Sequence, residues 1–146
     1  MRVYLKEITA DNWIQAVKLE VKEEQKNFVA TNAISIAQSK FESFVNCHGI
    51  YDGETMIGFS ATGKNPEDGT IWIIRHMVGK QYQGKGYGKL GLQQVIGMLV
   101  KEYNTKEIFL TVEPENDIAI NMYKKTGFID TGKKMVKSHV FKLQLK

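Results

Sequence analysis

The stretch Gln83-Gly84-Lys85-Gly86-Tyr87-Gly88 is the centre of the fold prediction, because it places three alternating glycines between a strand-like and a helix-like segment. Glycine tolerates positive φ and sharp bends. A helix that begins in such a loop presents backbone N–H groups and the positive end of its dipole to an anion, and a pyrophosphate group fits that description. Three alternating glycines alone are equally typical of a flexible turn, so the flanking segments must discriminate between the two interpretations.

The segments on either side of this loop predict a crossover. Thr70 to Met77 is rich in isoleucine and tryptophan and predicts a central strand. From about Gly86 to Lys101 the apolar residues lie on one helical face, and Ile108 to Val112 is a second strand-like run. A strand, a loop, a helix and a strand in this order form a right-handed crossover in a mixed α/β sheet.

Two helical patterns precede that crossover. Thr9 is a candidate N-cap after a short alternating segment that predicts an edge strand. Two stripes of mainly apolar residues then predict two helices, and such a stripe normally faces the core. The first stripe consists of Trp13, Ala16, Val17, Glu20 and Val21, and the second of Ile34, Ala37, Phe41 and Phe44.

Turn and cap residues predict the remaining elements. Asp52-Gly53-Glu54 lies between two strand-like runs and predicts a β-hairpin. After the crossover, a helix from about Ile118 to Lys125 should end at Gly127, which has the position of a C-terminal capping glycine. The alternating run that follows predicts one or two final strands.

Length and composition indicate one soluble domain over residues 1–146. No apolar run approaches the ~20 residues of a membrane helix, and the N-terminal residues lack the apolar core of a secretory signal, so we expect a cytoplasmic protein without a membrane partner. The single cysteine, Cys47, has no ligand-like spacing around it, which favours a reducing compartment and no metal. The net charge of +4 comes without aromatic–basic interleaving, and we expect no nucleic-acid partner.

A dinucleotide site is the main competing interpretation of the glycine loop. Gly86-Tyr87-Gly88-Lys89-Leu90-Gly91 formally matches G-x-G-x-x-G, and Glu113 follows at the end of the next strand. However, the preceding strand ends near Met77, too far from Gly86 for the tight junction that this fingerprint needs. The position of the unit in the chain also leaves no room for a doubly wound sheet, so this alternative is minor.

A second motif lies about 30 residues after the loop. Asn116-x-x-Ala119-x-x-x-Tyr123-x-x-x-Gly127-Phe128 places Ala119 and Tyr123 one turn apart on the same side of a short helix. Together with Gln83-x-x-Gly86-x-Gly88, this pattern resembles the GNAT superfamily of N-acetyltransferases. The order of elements around the two motifs extends the resemblance over nearly the whole chain. Either motif alone is a weak signal, and the pair is a strong one.

The resemblance implies a fold and a set of site residues. The fold would be a mixed, mostly antiparallel sheet with a central splayed pair of parallel strands and about four flanking helices. Acetyl-CoA would be the cosubstrate, with no metal, and an amine would attack it directly in a ternary complex. Tyr123 would donate a proton to the departing thiolate, and Cys47 would be an inert thiol. The implied cofactor-binding residues are Met77, Val78, Gln83, Gly84, Lys85, Gly86, Tyr87, Gly88, Asn116 and Tyr123.

The general base and the acceptor are less well determined by the sequence. An alkylamine with a reference pKa of ~10.4 must lose a proton before it attacks. His76, Glu113, an acidic helix residue or a chain of waters are all candidates for accepting that proton. Glu20, Glu23 and Glu24 fall within one predicted helical turn and can lean toward a common cation, although the pattern alone favours a solvated helix face in which neighbouring lysines pair with these carboxylates.

Three stretches resemble bacterial spermine/spermidine acetyltransferases within the superfamily: residues 21–32, Trp72-Ile73-Ile74-Arg75 and residues 82–88. This resemblance implies a polyamine as the acceptor, bound by Glu20, Glu23, Glu24 and Trp72. An aminoglycoside, an amino acid or a protein N-terminus are alternative acceptors, and a non-catalytic coenzyme A sensor is an alternative of another class. Family members are commonly dimers, so the resemblance is also compatible with a homodimer.

Overall fold

The computed structural model describes residues 1–146 and contains seven strands, four α-helices and two single turns of 3-10 helix. The strands are β1 Val3–Glu7, β2 Val45–Asp52, β3 Thr55–Lys64, β4 Ile71–Val78, β5 Glu107–Val112, β6 Ile129–Met135 and β7 Ser138–Gln144. The helices are α1 Trp13–Lys18, α2 Asn32–Phe41, α3 Tyr87–Tyr103 and α4 Asp117–Thr126, and the 3-10 turns are Glu23–Gln25 and Lys80–Tyr82.

All seven strands form one sheet in the order β1-β2-β3-β4-β5-β7-β6. Every neighbouring pair is antiparallel except β4 and β5, which run parallel at the centre. The predicted fold class is therefore confirmed, as are the edge strand β1 and the hairpin between β2 and β3. That hairpin turns at Gly53, whose φ of +61° is a left-handed conformation that glycine adopts without strain.

Each face of the sheet carries its own core. On one face, α3 and α4 pack against β4, β5 and β7 through buried residues such as Leu92, Leu99 and Phe141. On the other face, α1 and α2 cover β2 and β3, where Phe59 and Ala61 are fully buried. The glycine loop and α4 belong to the first face.

A β-bulge in β4 opens the centre of the sheet. Opposite β3, Ile73 faces Thr62 and Arg75 faces Ala61, so Ile74 is an extra residue in β4. Alternate residues of a regular strand share a face of the sheet, so Ile73 and Met77 would normally lie on the same side. Here Ile73 packs in the core beneath α3 and α4, whereas Met77 packs in the core beneath α1 and α2. The bulge also coincides with the last β4–β5 pair, Ile73 with Leu110. Beyond this point the parallel strands diverge, as the predicted splayed pair requires.

The first helix differs from the sequence prediction. Thr9 does not cap it: α1 begins at Trp13 behind Asn12, whose side-chain oxygen accepts a hydrogen bond from the Thr9 N–H. The helix ends at Lys18, so Glu20 and Val21 lie outside it. Tertiary contacts override the periodic pattern here, because the backbone that follows runs along the end of β4, where the Lys80 N–H donates to the Glu20 carbonyl at 2.7 Å.

The second helix exposes the stripe that was expected to face the core. In α2, Ile34 is 55% exposed and Phe41 is 86% exposed. The buried positions are instead Asn32 and Ser35. Asn32 donates hydrogen bonds to the carbonyls of Ala16 and Leu19, which fixes α2 against the end of α1. The helix exists where the pattern predicts it, but polar contacts select the face that is buried.

The crossover and the last helix agree with the sequence prediction. Helix α3 ends at Asn104 in a left-handed conformation, and α4 ends at Gly127 with φ of +113°. Both conformations close a helix by satisfying its last carbonyls. Among these helices, none is long and apolar enough to span a bilayer.

Candidate active site

A cavity of about 700 Å³ lies where β4 and β5 diverge. Its walls come from the carboxyl-terminal part of β4, the end of β5, the glycine loop, the start of α4 and the segment of residues 22–30. This volume is within the range of small-molecule sites. Eight of the predicted site residues line it, namely Met77, Val78, Gln83, Gly84, Gly86, Gly88, Asn116 and Tyr123.

The glycine loop forms one wall through its backbone conformation. Gly84 has φ of +77° and Gly86 has φ of +88°, and Gly86 is the residue that begins α3. A Cβ atom on either residue would meet no atom within 4 Å, so the left-handed backbone rather than lack of space favours glycine there. The result is a loop with free N–H groups and a helix N-terminus, which is suited to a pyrophosphate.

Gly88 has a different reason to be glycine. A Cβ atom at this position would lie 3.0 Å from the sulfur of Met122 in α4. Such a contact is tighter than most, so a side chain here would require the Met122 side chain to shift by a few tenths of an ångström. Glycine at this position therefore favours close packing of α3 and α4 beside the cavity.

The side chain of Gln83 holds the loop in place. Its Nε2 donates to the Val78 carbonyl at 2.9 Å and to Gln25 Oε1 at 2.9 Å, and Gln25 Nε2 donates back to Gln83 Oε1 at 3.1 Å. This reciprocal amide pair connects the glycine loop to the 3-10 turn on the other wall. Because both N–H groups of the Gln83 side chain are used, its side chain has no donor left for an anionic ligand.

Two predicted cofactor residues point elsewhere. Tyr87 donates its hydroxyl to Asp52 at the β2–β3 hairpin, and this charge-assisted bond lowers the pKa of the Asp52 carboxyl. Lys85 is exposed and does not line the cavity. Tyr87 therefore anchors the start of α3 to the sheet, and a contact of Lys85 with a phosphate stays a prediction.

Asn116 and Tyr123 owe their places to the two ends of α4. The Asn116 side chain accepts a hydrogen bond from the Ala119 N–H and so caps the helix. At the other end, the Gly127 N–H donates to Lys124 and the Phe128 N–H donates to Tyr123, which is the pairing of a Schellman motif. The motif that identified this helix in the sequence thus consists largely of its own caps.

Tyr123 has the environment of a proton donor. It is 7% exposed, and its ring packs edge-to-face on Phe128 at a centroid distance of 5.8 Å. Burial raises the pKa of Tyr123 to about 12, because the charged phenolate is disfavoured away from water. The phenol therefore keeps its proton at neutral pH and has it available for a leaving group.

His76 is enclosed under the start of α3. Its Nε2 lies 3.1 Å from the Gly88 carbonyl, and since a carbonyl only accepts, Nε2 carries the proton. Nδ1 is buried without a partner, and burial lowers the pKa of the ring. His76 is therefore neutral at physiological pH, with its free lone pair on Nδ1.

Glu113 is the only carboxylate among the residues that line the cavity. It follows directly after β5 and accepts a hydrogen bond from the Ser138 hydroxyl at 2.9 Å. The structure thus brings both named base candidates, His76 and Glu113, to the same cavity as Tyr123. An enclosed phenol, a carboxylate and an anion-binding loop around one opening suit acyl transfer to an amine.

Residues 5–128 match the Acetyltransferase (GNAT) family. The chain belongs to the GNAT acetyltransferases. It is 29% identical over 134 residues, 88% of each chain, to a spermine/spermidine N(1)-acetyltransferase of Bacillus subtilis (strain 168). As a GNAT protein it is an acetyl-CoA-dependent N-acetyltransferase, with acetyl-CoA as its cosubstrate.

Solved GNAT structures share the fold at low identity. A spermidine N-acetyltransferase of Vibrio cholerae in complex with CoA and spermine superimposes with a TM-score of 0.77 at 14% identity, covering 98% of this chain and 95% of that one. The aminoglycoside acetyltransferase AAC(6')-Ib in complex with coenzyme A gives 0.79 at 14% identity, covering 97% and 94%. The GNAT fold thus accommodates different acceptors, and the acceptor has to be argued from the cavity.

The acidic residues predicted for the acceptor do not line the GNAT cavity. Lys26 pairs with Glu23 at 2.9 Å, and Glu20 lies 3.9 Å from Lys26 and 3.8 Å from Lys80. Glu24 is exposed beside them. They occupy the segment whose neighbours Lys22 and Gln25 do line the cavity, so they lie near its rim.

Trp72 lines a second cavity of about 430 Å³ on the α2 face of the sheet. Its ring stacks on Phe109 at 5.2 Å, and its indole N–H donates to Thr70. The two cavities share four lining residues, Ile73, Ile74, Arg75 and Thr111. They therefore meet at the bulge of β4.

Sequence reasoning missed two cations in this GNAT site. Lys89 lines the cavity from the first turn of α3, directly after the glycine motif, and this position next to the loop was a usable signal. Arg75 lines both cavities. No sequence signal distinguished Arg75, because the bulge that directs its side chain is a tertiary feature.

Proposed function

We propose that this enzyme transfers the acetyl group of acetyl-CoA to a primary amine of a polyamine by direct attack in a ternary complex. The observation that carries the proposal is the meeting of two cavities at the β4 bulge, one with the acyl-transfer groups and one with room for the rest of an elongated amine. The similarity to the spermine/spermidine N(1)-acetyltransferase of Bacillus subtilis supports it.

The cosubstrate would bind to the backbone-defined wall. Gly84, Gly86 and Gly88 would take the pyrophosphate, with Lys89 adding charge beside it. The pantetheine arm would lie in the gap between β4 and β5 next to Met77 and Val78, where β4 has no β5 partner. Acetyl-CoA supplies a thioester, whose carbonyl carbon accepts the amine and whose sulfur leaves as a thiolate.

The protein's own groups would then manage charge and protons. A main-chain N–H near Met77 or Val78 would stabilise the oxygen of the thioester as negative charge develops on it. The amine would lose its proton to Glu113 or to a water beside it. Tyr123 would give its proton to the thiolate, since its high pKa keeps it protonated until then.

The remainder of the amine would extend into the second cavity. Trp72 and Phe44 offer apolar and aromatic surface for methylene groups there, and Glu67 offers a carboxylate for an outer ammonium group. Glu20, Glu23 and Glu24 stay a prediction for ammonium groups that reach the rim near residue 22. A polyamine has both kinds of group at regular intervals along one chain.

A thiol-release assay over a panel of amines tests the proposal. Spermine, spermidine and shorter diamines should give the highest kcat/KM, ahead of aminoglycosides, amino acids and peptide N-termini, which have different shapes. Highest turnover on one of those other classes would replace the polyamine as acceptor. Coenzyme A binding without turnover of any amine would instead identify a sensor.

A further inference from the structure

Arg75 is a half-buried cation without an anionic partner. No carboxylate lies within 4.0 Å of its guanidinium, whereas the exposed lysines Lys26 and Lys80 both have acidic neighbours. Its Nη1 donates to the Ile74 carbonyl at 2.9 Å, and its Nε is buried without any partner. An unpaired buried charge is costly and is usually retained for a function.

The position of Arg75 relates it to the reacting groups. It follows the bulge in β4 and precedes Met77 by two residues on the same strand. It lines the active-site cavity and also the second cavity, at the point where the two meet. An amine that attacks beside Met77 therefore shares this cavity with the Arg75 side chain.

The cavity around this position is cationic overall. Besides Arg75, the titratable side chains that line it come from the segment before the first 3-10 turn, β4, α3, the end of β5 and α4. They are Lys22, His76, Lys89, Glu113 and Tyr123. On the side of the second cavity, the loop between β3 and β4 contributes the carboxylate of Glu67. With Arg75, three permanent cations face one carboxylate in the active-site cavity, and the neutral His76 adds no charge.

We propose that Arg75 drives the attacking amine into its neutral, nucleophilic form by repelling the ammonium form. This inference rests on the proposed amine acetylation and adds a cause for it. A protonated amine has no lone pair and cannot attack, so the proton must leave before the C–N bond forms and the C–S bond breaks. A nearby cation disfavours the charged form of an amine, and burial prevents water from screening the effect.

The expected size of the effect is measurable. Two unit charges across one small-molecule cavity, roughly 10 Å apart at an effective dielectric constant of about 20, alter a pKa by about one unit. The first ammonium proton passes through Glu113 or a water to solvent before the C–N bond forms. When the C–S bond breaks, the thiolate receives the proton of Tyr123, and the second proton lost by the nitrogen restores the phenol through water. The net products are the N-acetyl amine, the thiol of coenzyme A and one proton in solvent, so atoms and charges balance without a further reactant.

The pH profile of kcat for Arg75→Gln tests this role, because kcat reports groups in the enzyme–substrate complex. With a saturating basic amine, the midpoint of the acid limb should rise by about one pH unit. Activity at pH 7.5 should fall about tenfold and return close to the wild-type value on the high-pH plateau. Arg75→Lys should keep the wild-type midpoint, and Lys22→Gln, which removes an exposed cation of the same cavity, should move it less.

A weakly basic amine that is already neutral at pH 7.5 provides the discriminating substrate. Arg75→Gln should leave its kcat within about twofold of wild type, since there is no proton to remove. Equal losses on both amines with an unmoved midpoint would overturn the inference, as would a loss confined to acceptors that carry a carboxylate. Melting curves and acetyl-CoA affinity identify a variant that fails to fold. If Arg75→Gln fails to fold, the midpoints of the acid limb are compared between Arg75→Lys and Lys22→Gln instead.

The outcome is separable from that of the proposed function. The profile is measured on whichever amine the panel identifies as the best acceptor. If a polyamine is not that amine, the proposed acceptor fails while the role of Arg75 is still tested. If polyamines are acetylated and the midpoint does not move, the role of Arg75 fails alone.

Discussion

The two sides of the active-site cavity are built by different means. On the proposed cofactor side, backbone conformation and helix caps shape the wall, as in the left-handed Gly84 and Gly86 and the capping Asn116. On the proposed acceptor side, individual side chains such as Arg75 and Glu113 line the wall, and their positions depend on a bulge and on a strand end. A backbone-defined site is encoded locally, whereas a side-chain-defined site depends on contacts that are distant in sequence.

This difference has a chemical counterpart. The cofactor side offers N–H groups and a helix N-terminus, which suit any diphosphate of the right size. The proposed acceptor side combines Glu113 with unpaired cationic charge and an aromatic second cavity. Fewer ligands match this combination of groups. Substitutions on the two sides should therefore change different kinetic constants.

The largest effect is expected for Tyr123→Phe, which removes the proposed proton donor where the two sides meet. Loss of a general acid typically costs about 10²-fold in kcat. Since the pKa of Tyr123 is raised to about 12, the wild-type phenol is protonated throughout the neutral range, and the loss should be the same at every neutral pH. Initial rates at saturating acetyl-CoA and amine measure it.

Tyr103→Phe is the matched control, since Tyr103 lies in α3, packs against the same core and does not line the cavity. Its kcat should stay within about twofold of wild type, the normal range for a substitution away from the site. Full activity of Tyr123→Phe across the pH range would contradict the assignment and leave a water as the proton source.

The next effect compares two carboxylates of the acceptor side. Glu113→Gln keeps the size of the side chain but removes the only carboxylate that lines the cavity, so it should raise KM for the amine about tenfold and also lower kcat, since Glu113 is a proposed acceptor of the amine's proton. Glu24→Gln removes an exposed carboxylate near the rim and should change KM by less than about twofold. The two KM values come from amine titrations at saturating acetyl-CoA. A larger rise in KM for Glu24→Gln than for Glu113→Gln would instead favour an acceptor site at Glu20, Glu23 and Glu24.

The sequence predicted the elements that form the proposed cofactor side, and eight of the ten implied cofactor residues line the cavity. The caps of α4, the glycines with positive φ and the strand before them all carry local signals, because each residue type has a conformational reason for its place. The central strand, the crossover, the hairpin and the mixed sheet follow from the same kind of signal. Lys89 was missed although it adjoins the glycine motif.

The acceptor side was predicted less well for physical reasons. A helical stripe shows that one face is apolar but not what covers it, and in α2 the polar Asn32 determines the packing while Phe41 remains exposed. Helix α1 ends early because its continuation pairs with the end of β4. The bulge at Ile74 leaves no mark in the sequence, so neither the junction of the two cavities nor Arg75 was predictable.

The smallest predicted effect isolates backbone conformation itself. Gly86 and Gly132 both have positive φ, and a Cβ atom at either would meet no atom within 4 Å, so alanine introduces a similar conformational strain of about 1 kcal/mol at both. In Gly86→Ala the strain opposes the loop shape proposed to bind pyrophosphate, which should raise the Kd for coenzyme A about fivefold. In Gly132→Ala it falls on a residue of β6 that does not line the cavity, where it should lower the melting temperature and leave that Kd unchanged. Calorimetric titration and melting curves of the two variants separate these outcomes.

An equal Kd for both variants would mean that the loop binds coenzyme A without needing its left-handed start. The contrast between a wall defined by backbone conformation and a wall defined by side chains would then be lost.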